Sequence, residues 1–118
     1  MEVFKELSNE NTMLISFIES RKAIKNIDEI MSSGIDAIHI GPGDLKESYN
    51  GDSVLFNEAM QLIFDKSKEY DLPVICVASE FDEAKELINK GASMISFSSD
   101  LMLLKNICES IVSRFKSQ

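Results

Sequence analysis

Tryptophan is missing from the 118 residues, and histidine, proline and cysteine are scarce, with one, two and two copies. Cys76 falls in an apolar strand run and Cys108 on a helix stripe, so both read as small reduced core residues, as in a cytoplasmic protein. Far apart and with a single histidine, they do not read as a zinc site. Basic residues are also short: 12 Lys and Arg against 20 Asp and Glu, for a net charge of −8. No Lys/Arg run stands out, which argues against a nucleic-acid or anionic-membrane partner. No apolar run approaches the roughly 20 residues that cross a bilayer. The opening Met-Glu-Val-Phe-Lys-Glu-Leu is charged from its second residue and does not read as a signal peptide. With no Pro/Ser-rich linker and no low-complexity tract, the expectation is one domain over residues 1–118. What the chain does have is 44% hydrophobic residues, enough for a core, and an acidic balance that suits a divalent cation.

The periodicities alternate. Glu2 to Leu7 reads as a short helix. Met13 to Ile18 is a nearly all-apolar strand, as expected where both faces are covered. Ser20 to Ser33 reads as one helix with Ala23, Ile24, Ile27, Ile30 and Met31 on a stripe, closed by Gly34 in a left-handed cap. Asp36 to Ile40 is a strand, Asn50-Gly51 a turn, and Val54 to Tyr70 a helix packing Phe56, Ala59, Met60 and Ile63. After Pro73, Val74 to Ala78 is a strand. Ser79 can cap a helix that packs Phe81, Ala84, Leu87 and Ile88 and stops at Gly91. Met94 to Phe97 is a strand, and Leu101 to Lys116 a helix with a stripe of Leu104, Ile107, Cys108, Ile111 and Phe115. Four βα units imply a parallel α/β sheet. It could be a small open doubly wound sheet or half of a (β/α)8 barrel. A half-barrel leaves apolar faces and strand edges to cover, so self-association is expected.

The stretch Ile38-His39-Ile40-Gly41-Pro42-Gly43-Asp44-Leu45 carries the chemistry. A buried strand stops at Gly-Pro-Gly, read as a tight loop in which Gly41 and Gly43 adopt conformations closed to other residues. Such a loop can aim backbone N–H groups at an anion and sets Asp44 just past the strand's C-terminal end, where α/β proteins bind ligands. An ordinary turn with Asp44 capping a helix has the same spacing. Glu19 follows the preceding strand, so a βαβ unit places Glu19 and Asp44 on one rim. Two hard oxygen ligands there suit Mg²⁺ or Mn²⁺, with water or substrate completing the shell. Solvated loop carboxylates are the alternative. His39 reads as packed, Asp100 as the N-cap of the last helix, and Ser98 and Ser99 as turn or cap residues or as contacts to a substrate oxygen.

Ile18-Glu19-Ser20-Arg21-Lys22-Ala23-Ile24-Lys25-Asn26-Ile27-Asp28-Glu29-Ile30, followed by Ile40-Gly41-Pro42-Gly43-Asp44-Leu45, resembles the metal-binding signatures of the 4-hydroxy-2-oxoheptanedioate / 2-dehydro-3-deoxyglucarate aldolases. These are relatives of the citrate lyase β-subunits. Ser98-Ser99-Asp100-Leu101, Leu104 and Arg114-Phe115 resemble the family's closing strand and helix. The resemblance implies a (β/α)8 barrel and a class II aldolase cleaving 4-hydroxy-2-oxo acids to pyruvate and an aldehyde. It implies metal ligation by Glu19 and Asp44, and backbone N–H groups from Gly41, Pro42, Gly43 and Asp44 around the pyruvate carboxylate, Pro42 itself having no N–H to give. Only the C-terminal half of the family barrel is matched. The family's pyruvate-binding arginine and catalytic histidine belong to the other half, and Arg21 and His39 do not match them. Phe17 stands where members often carry glutamine, and the link between the two metal motifs is about one residue shorter than usual.

Three readings follow. The first is a lyase whose barrel is completed by another polypeptide, either an N-terminal half-barrel chain or a second copy, with no catalytic residue of its own and a small 2-oxo acid as substrate. The second is a non-enzymatic, self-associating half-barrel that binds a divalent metal or a small carboxylic acid. The third is an open flavodoxin-like binding module.

Overall fold

The computed structural model describes residues 11–116, so the helix expected over Glu2–Leu7 lies outside the described residues. Ten elements follow in order: β1 (Ile15–Ile18), α1 (Arg21–Lys25), α2 (Ile27–Met31), β2 (Ala37–Ile40), α3 (Pro42–Ser48), α4 (Ser53–Glu69), β3 (Val74–Ala78), α5 (Phe81–Lys90), β4 (Met94–Phe97) and α6 (Asp100–Lys116). All strand pairs are parallel, and the sheet order is β1-β2-β3-β4. Each strand therefore lies beside its predecessor, with no reversal of winding. A doubly wound sheet needs such a reversal, so the flavodoxin-like reading is corrected: this is the strand order of a barrel segment.

Alternation along the strands separates two faces. Ile18, Ile38, Ile40, Val74, Cys76 and Ala78 point to one side, where they form a single core with Ile27, Met31, Ala59, Ile63, Phe64, Ala84 and Leu87 from the helices. Ile15, Phe17, Ala37, His39, Ile75 and Met94 point to the other. There Phe17 and Met94 are 55% and 57% exposed, while Ala37 and Ile75 are buried. On the core side burial holds the Cys76 thiol up to about 11. A cavity of about 360 Å³ also lies on that side, between α4 and α5, against Phe56, Met60, Phe64, Cys76 and Leu87.

Five local expectations are corrected. The helix expected over Ser20–Ser33 is two, broken at Asn26, whose φ of −106° and ψ of 21° leave the helical region. Ser20 caps α1, its Oγ accepting from the Ala23 N–H at 3.2 Å. Ser79 does not cap α5: Glu80 holds that position, and the Ser79 N–H donates to Glu83 Oε2 at 2.9 Å. Phe81 and Ile88 are exposed, Phe81 stacking on the Phe97 ring at 4.9 Å rather than entering the core, while Ala84 and Leu87 are buried as expected. Cys108 and the whole stripe of α6 are exposed, so the thiol is no core residue. Gly91 closes α5 at φ 116° as expected, but the expected left-handed cap at Gly34 is corrected: Ser32, in the right-handed region, caps α2, and Gly34 at φ 85° lies two residues further on.

Candidate metal and substrate site at the sheet rim

β1 and β2 run in register from Ile15 opposite Ala37 to Ile18 opposite Ile40. The next residues, Glu19 and Gly41, therefore leave the sheet side by side at its C-terminal end. The Gly41 N–H donates to the Ile18 carbonyl at 3.2 Å and carries the pairing one step further. A Cβ placed on Gly41 would lie 2.9 Å from Glu19 Cβ and 3.0 Å from Glu19 Oε2. The glutamate side chain thus lies across the bare α-carbon of Gly41, which acts as its floor.

This changes the role of the glycines. Gly41 has φ −91°, which any residue can adopt, so space and not conformational freedom selects glycine there. Gly43 is helical, and a Cβ on it would meet nothing within 4 Å. The expected loop over Gly41–Asp44 is instead the start of α3. Pro42 sits in the first turn, where a missing N–H is harmless, and Gly41 occupies the N-cap without a side chain to fill it. Asp44 lies in the same first turn, exposed, four residues past the end of β2, while Glu19 directly follows β1.

A clip holds the two rims together, and nothing in the sequence pointed to it. The Arg21 N–H donates to Ser48 Oγ at 3.2 Å, and Ser48 Oγ donates to the Leu45 carbonyl at 2.7 Å. The Arg21 guanidinium stands 5.5 Å from the centre of the Tyr49 ring. Ser48 and Tyr49 thereby fasten the turn after Glu19 to the end of α3. The partners are 27 residues apart, so no local spacing signals them.

The other candidates fall elsewhere. His39 points to the open face of the sheet, stacked on Phe17 with ring centres 4.4 Å apart. Its Nδ1 is buried and has no hydrogen-bond partner among the described residues. Ser99, not Asp100, caps α6: its Oγ accepts from the Met102 N–H at 3.2 Å, while Asp100 Oδ1 accepts from Leu101. Ser98 takes φ 58° at the end of β4, a backbone strained for a residue other than glycine, with its N–H on the Ala78 carbonyl.

Among the described residues no three His, Cys, Asp or Glu side chains converge. The donor set at the rim is therefore two exposed carboxylates, one of them seated on Gly41. Hard oxygen donors of that number fit an ion such as Mg²⁺, which keeps several waters and takes one or two carboxylates. The cavity between α4 and α5 is lined by neither Glu19 nor Asp44.

Comparison with known proteins agrees with this architecture. Residues 3–106 match the family described as HpcH/HpaI aldolase/citrate lyase. A 5-keto-4-deoxy-D-glucarate aldolase from Enterobacter sp. (strain 638) is 28% identical over 92% of this chain, and one from Escherichia coli O6:H1 is 27% identical. The chain spans 44% of the length of each. Among solved structures, an HpcH/HpaI aldolase from Desulfitobacterium hafniense DCB-2 superposes with a TM-score of 0.87 at 20% identity, covering 99% of this chain and 48% of that one. Macrophomate synthase superposes with a TM-score of 0.82 at 25% identity, over 95% of this chain and 41% of that one. The four βα units are thus part of a (β/α)8 architecture, and the chain belongs to the HpcH/HpaI aldolase/citrate lyase family.

Proposed function

We propose that this chain is the metal- and substrate-holding half of a class II aldolase, a carbon–carbon lyase acting on a 4-hydroxy-2-oxo acid of the keto-deoxy sugar-acid type. The observation that carries this is the seating of Glu19 across Gly41 on the rim that also bears Asp44. These two carboxylates would hold Mg²⁺ or Mn²⁺, which when bound polarises a substrate carbonyl. Gly41 leaves room for the Glu19 side chain, and Pro42 starts α3 so that the Gly43 and Asp44 N–H groups face the rim with no side chain capping them. Those groups would orient the carboxylate of pyruvate or of its 2-oxo precursor. The Arg21–Ser48 clip keeps the two rims in fixed relation.

Cleavage also needs a base for the substrate hydroxyl. His39 is stacked on Phe17 rather than free at the rim, so the base belongs to the half of the barrel that this chain does not contain. The face that exposes Phe17 and Met94, and the edges of β1 and β4, which no other described strand pairs, are where an N-terminal half-barrel or a second copy would close the structure. A cytoplasmic setting fits a protein of this kind.

The test is calorimetric titration with Mn²⁺, then a pyruvate-release assay with and without an N-terminal half-barrel supplied separately. Binding should be lost in both Glu19→Gln and Asp44→Asn, and pyruvate should appear only in the completed barrel. Unchanged Mn²⁺ binding in both variants overturns the assignment. Metal binding without turnover in the completed barrel would favour the non-enzymatic reading, which the apolar Phe17–His39 stack supports.

A further inference from the structure

The cavity between α4 and α5 has its base on Ile40 and Cys76 of the sheet, and its walls are Phe56, Met60 and Phe64 of α4 and Leu87 of α5. Phe56, Met60 and Phe64 recur four residues apart, so they stand one above another on a single helix face. At about 360 Å³ the cavity lies at the small end of the range of small-molecule sites. Its exposed lining is polar. Asn57 and Gln61 of α4 stand on one lip, and Glu83, Glu86 and Lys90 of α5 on the other. Apolar depth beneath a few placed polar groups is the usual composition of such a site.

The charges on the α5 lip select the occupant. Glu86 and Lys90 are four residues apart with the carboxylate first, the favoured order for an ion pair along a helix. They do not pair with each other, and among the described residues neither has a salt-bridge partner, whereas Lys85 pairs with Asp82 on the same helix. Glu83 is already engaged, its Oε2 accepting from the Ser79 N–H at 2.9 Å. Gln61 donates to Asp65 at 3.0 Å and keeps its Oε1 as an acceptor. One free carboxylate and one free ammonium group therefore stand a helical turn apart above an apolar pocket. A plain amine in the pocket would meet Lys90 as a like charge, and a plain carboxylic acid would meet Glu86. A phosphate would face two glutamates. A zwitterion with an apolar chain satisfies both ends and fills the depth.

We propose that this cavity binds a free α-amino acid with an apolar side chain. The side chain lies among Phe56, Met60 and Leu87, the ammonium group meets Glu86 and the carboxylate meets Lys90. The site lies on the helix side of the sheet and includes neither Glu19 nor Asp44, so it stands or falls independently of the lyase reading.

The experiment uses the full chain and L-leucine as the probe. Calorimetry should give a dissociation constant on the order of 0.1–1 mM, the range open to a ligand of so few atoms. Removing one charge from the probe, in 4-methylpentanoic acid or 3-methylbutylamine, should weaken binding at least roughly five-fold, the scale of an exposed ion pair. Glycine keeps both charges but has no chain to bury, so it should not bind. Glu86→Gln and Lys90→Gln change exposed side chains without salt-bridge partners, so each should keep the thermal midpoint while weakening L-leucine roughly five-fold. With methyl-labelled methionine, the Met60 resonance should move as L-leucine is added, and that of Met94, on the other face of the sheet, should stay. A shift at Met94 without one at Met60 overturns the proposal. So does 4-methylpentanoic acid, 3-methylbutylamine or glycine binding as tightly as L-leucine, or unchanged affinity in both charge variants. Neither heat nor a Met60 shift at roughly ten times the expected dissociation constant also overturns it.

Discussion

At Gly41 the space above the α-carbon is occupied by the Glu19 side chain, whereas at Gly43 it is empty. The two glycines should therefore respond in opposite ways to the same methyl group. Gly41→Ala forces Glu19 aside and should weaken Mn²⁺ binding roughly ten-fold or more, the range seen when a ligand's support is removed. Gly43→Ala should bind Mn²⁺ normally and unfold at a slightly higher temperature, by up to about 1 kcal/mol of helix propensity. Titration calorimetry and thermal denaturation on the two variants check both halves. Cys76 gives a second residue-scale prediction. Its thiol is 1% exposed and pushed up to about 11 by burial. In a Cys108→Ser background it should resist iodoacetamide at about pH 8 until the chain unfolds, because the thiolate is the reactive form. Burial favours the protonated thiol, so its contribution to stability is present below the unfolded value and declines as pH rises through the folded one. Alkylation of the native chain as fast as that of the unfolded one would contradict the placement.

At the scale of elements, α2 is fastened to α4 by a surface network. Lys66 Nζ lies 2.7 Å from Asp28 Oδ1 and 3.0 Å from Glu69 Oε2, and the Tyr70 hydroxyl donates to Asp28 Oδ1 at 3.0 Å. Hydrogen bonding to Lys66, then to Tyr70, holds the Asp28 carboxyl below its usual range. The hydrogen bond to Asp28, and then that to Glu69, raises Lys66 above the usual lysine range. A carboxyl with a lowered folded pKa contributes stability above its unfolded pKa, and that contribution fades as pH falls through the folded value. Acid below about pH 4 should therefore loosen α2 from α4. Lys66 acts in the opposite sense, its contribution being lost only at strongly alkaline pH. In Asp28→Asn the acid limb attributable to this link should be missing, which urea midpoints measured at mildly and strongly acidic pH would reveal. An identical acid dependence in the variant would mean that the network is too well solvated to matter, as many exposed ion pairs are.

At the scale of the whole molecule, one face of the sheet is a finished core, while the other, among the described residues, leaves Phe17 and Met94 more than half exposed. That asymmetry predicts behaviour rather than shape. The purified chain supplied with Mg²⁺ or Mn²⁺ should release little or no pyruvate from a 4-hydroxy-2-oxo acid, because a missing positioned base typically removes about 10²–10⁴-fold in rate. Robust release that vanishes in both Glu19→Ala and Asp44→Ala would show that a second copy, or an unrecognised residue, supplies the base. The open face also predicts binding of an apolar dye, and Phe17→Ser should reduce that signal.

Much of this was legible along the chain, and the reason is local. Val74–Ala78 and Met94–Phe97 are strands over the residues that periodicity and flanking turn residues marked, because burial on alternate sides writes itself into neighbouring positions. Gly91 announced the end of α5 because left-handed backbone selects glycine. The order of Glu19 and Asp44 after successive strands likewise set both residues beyond the same end of the sheet, since parallel neighbours in register must end together. What required the tertiary structure was whatever depends on who stands opposite whom. A turn at Gly41–Asp44 and the start of a helix have the same composition, and only the fold shows Glu19 lying over Gly41. The Arg21–Ser48 clip joins residues too far apart for any spacing rule. The stripe of α6 has the periodicity of a buried helix, yet amphipathicity records only that a face needs cover. Whether the cover comes from this chain is settled by the path of the chain in space, and here α6 is left exposed along its full length.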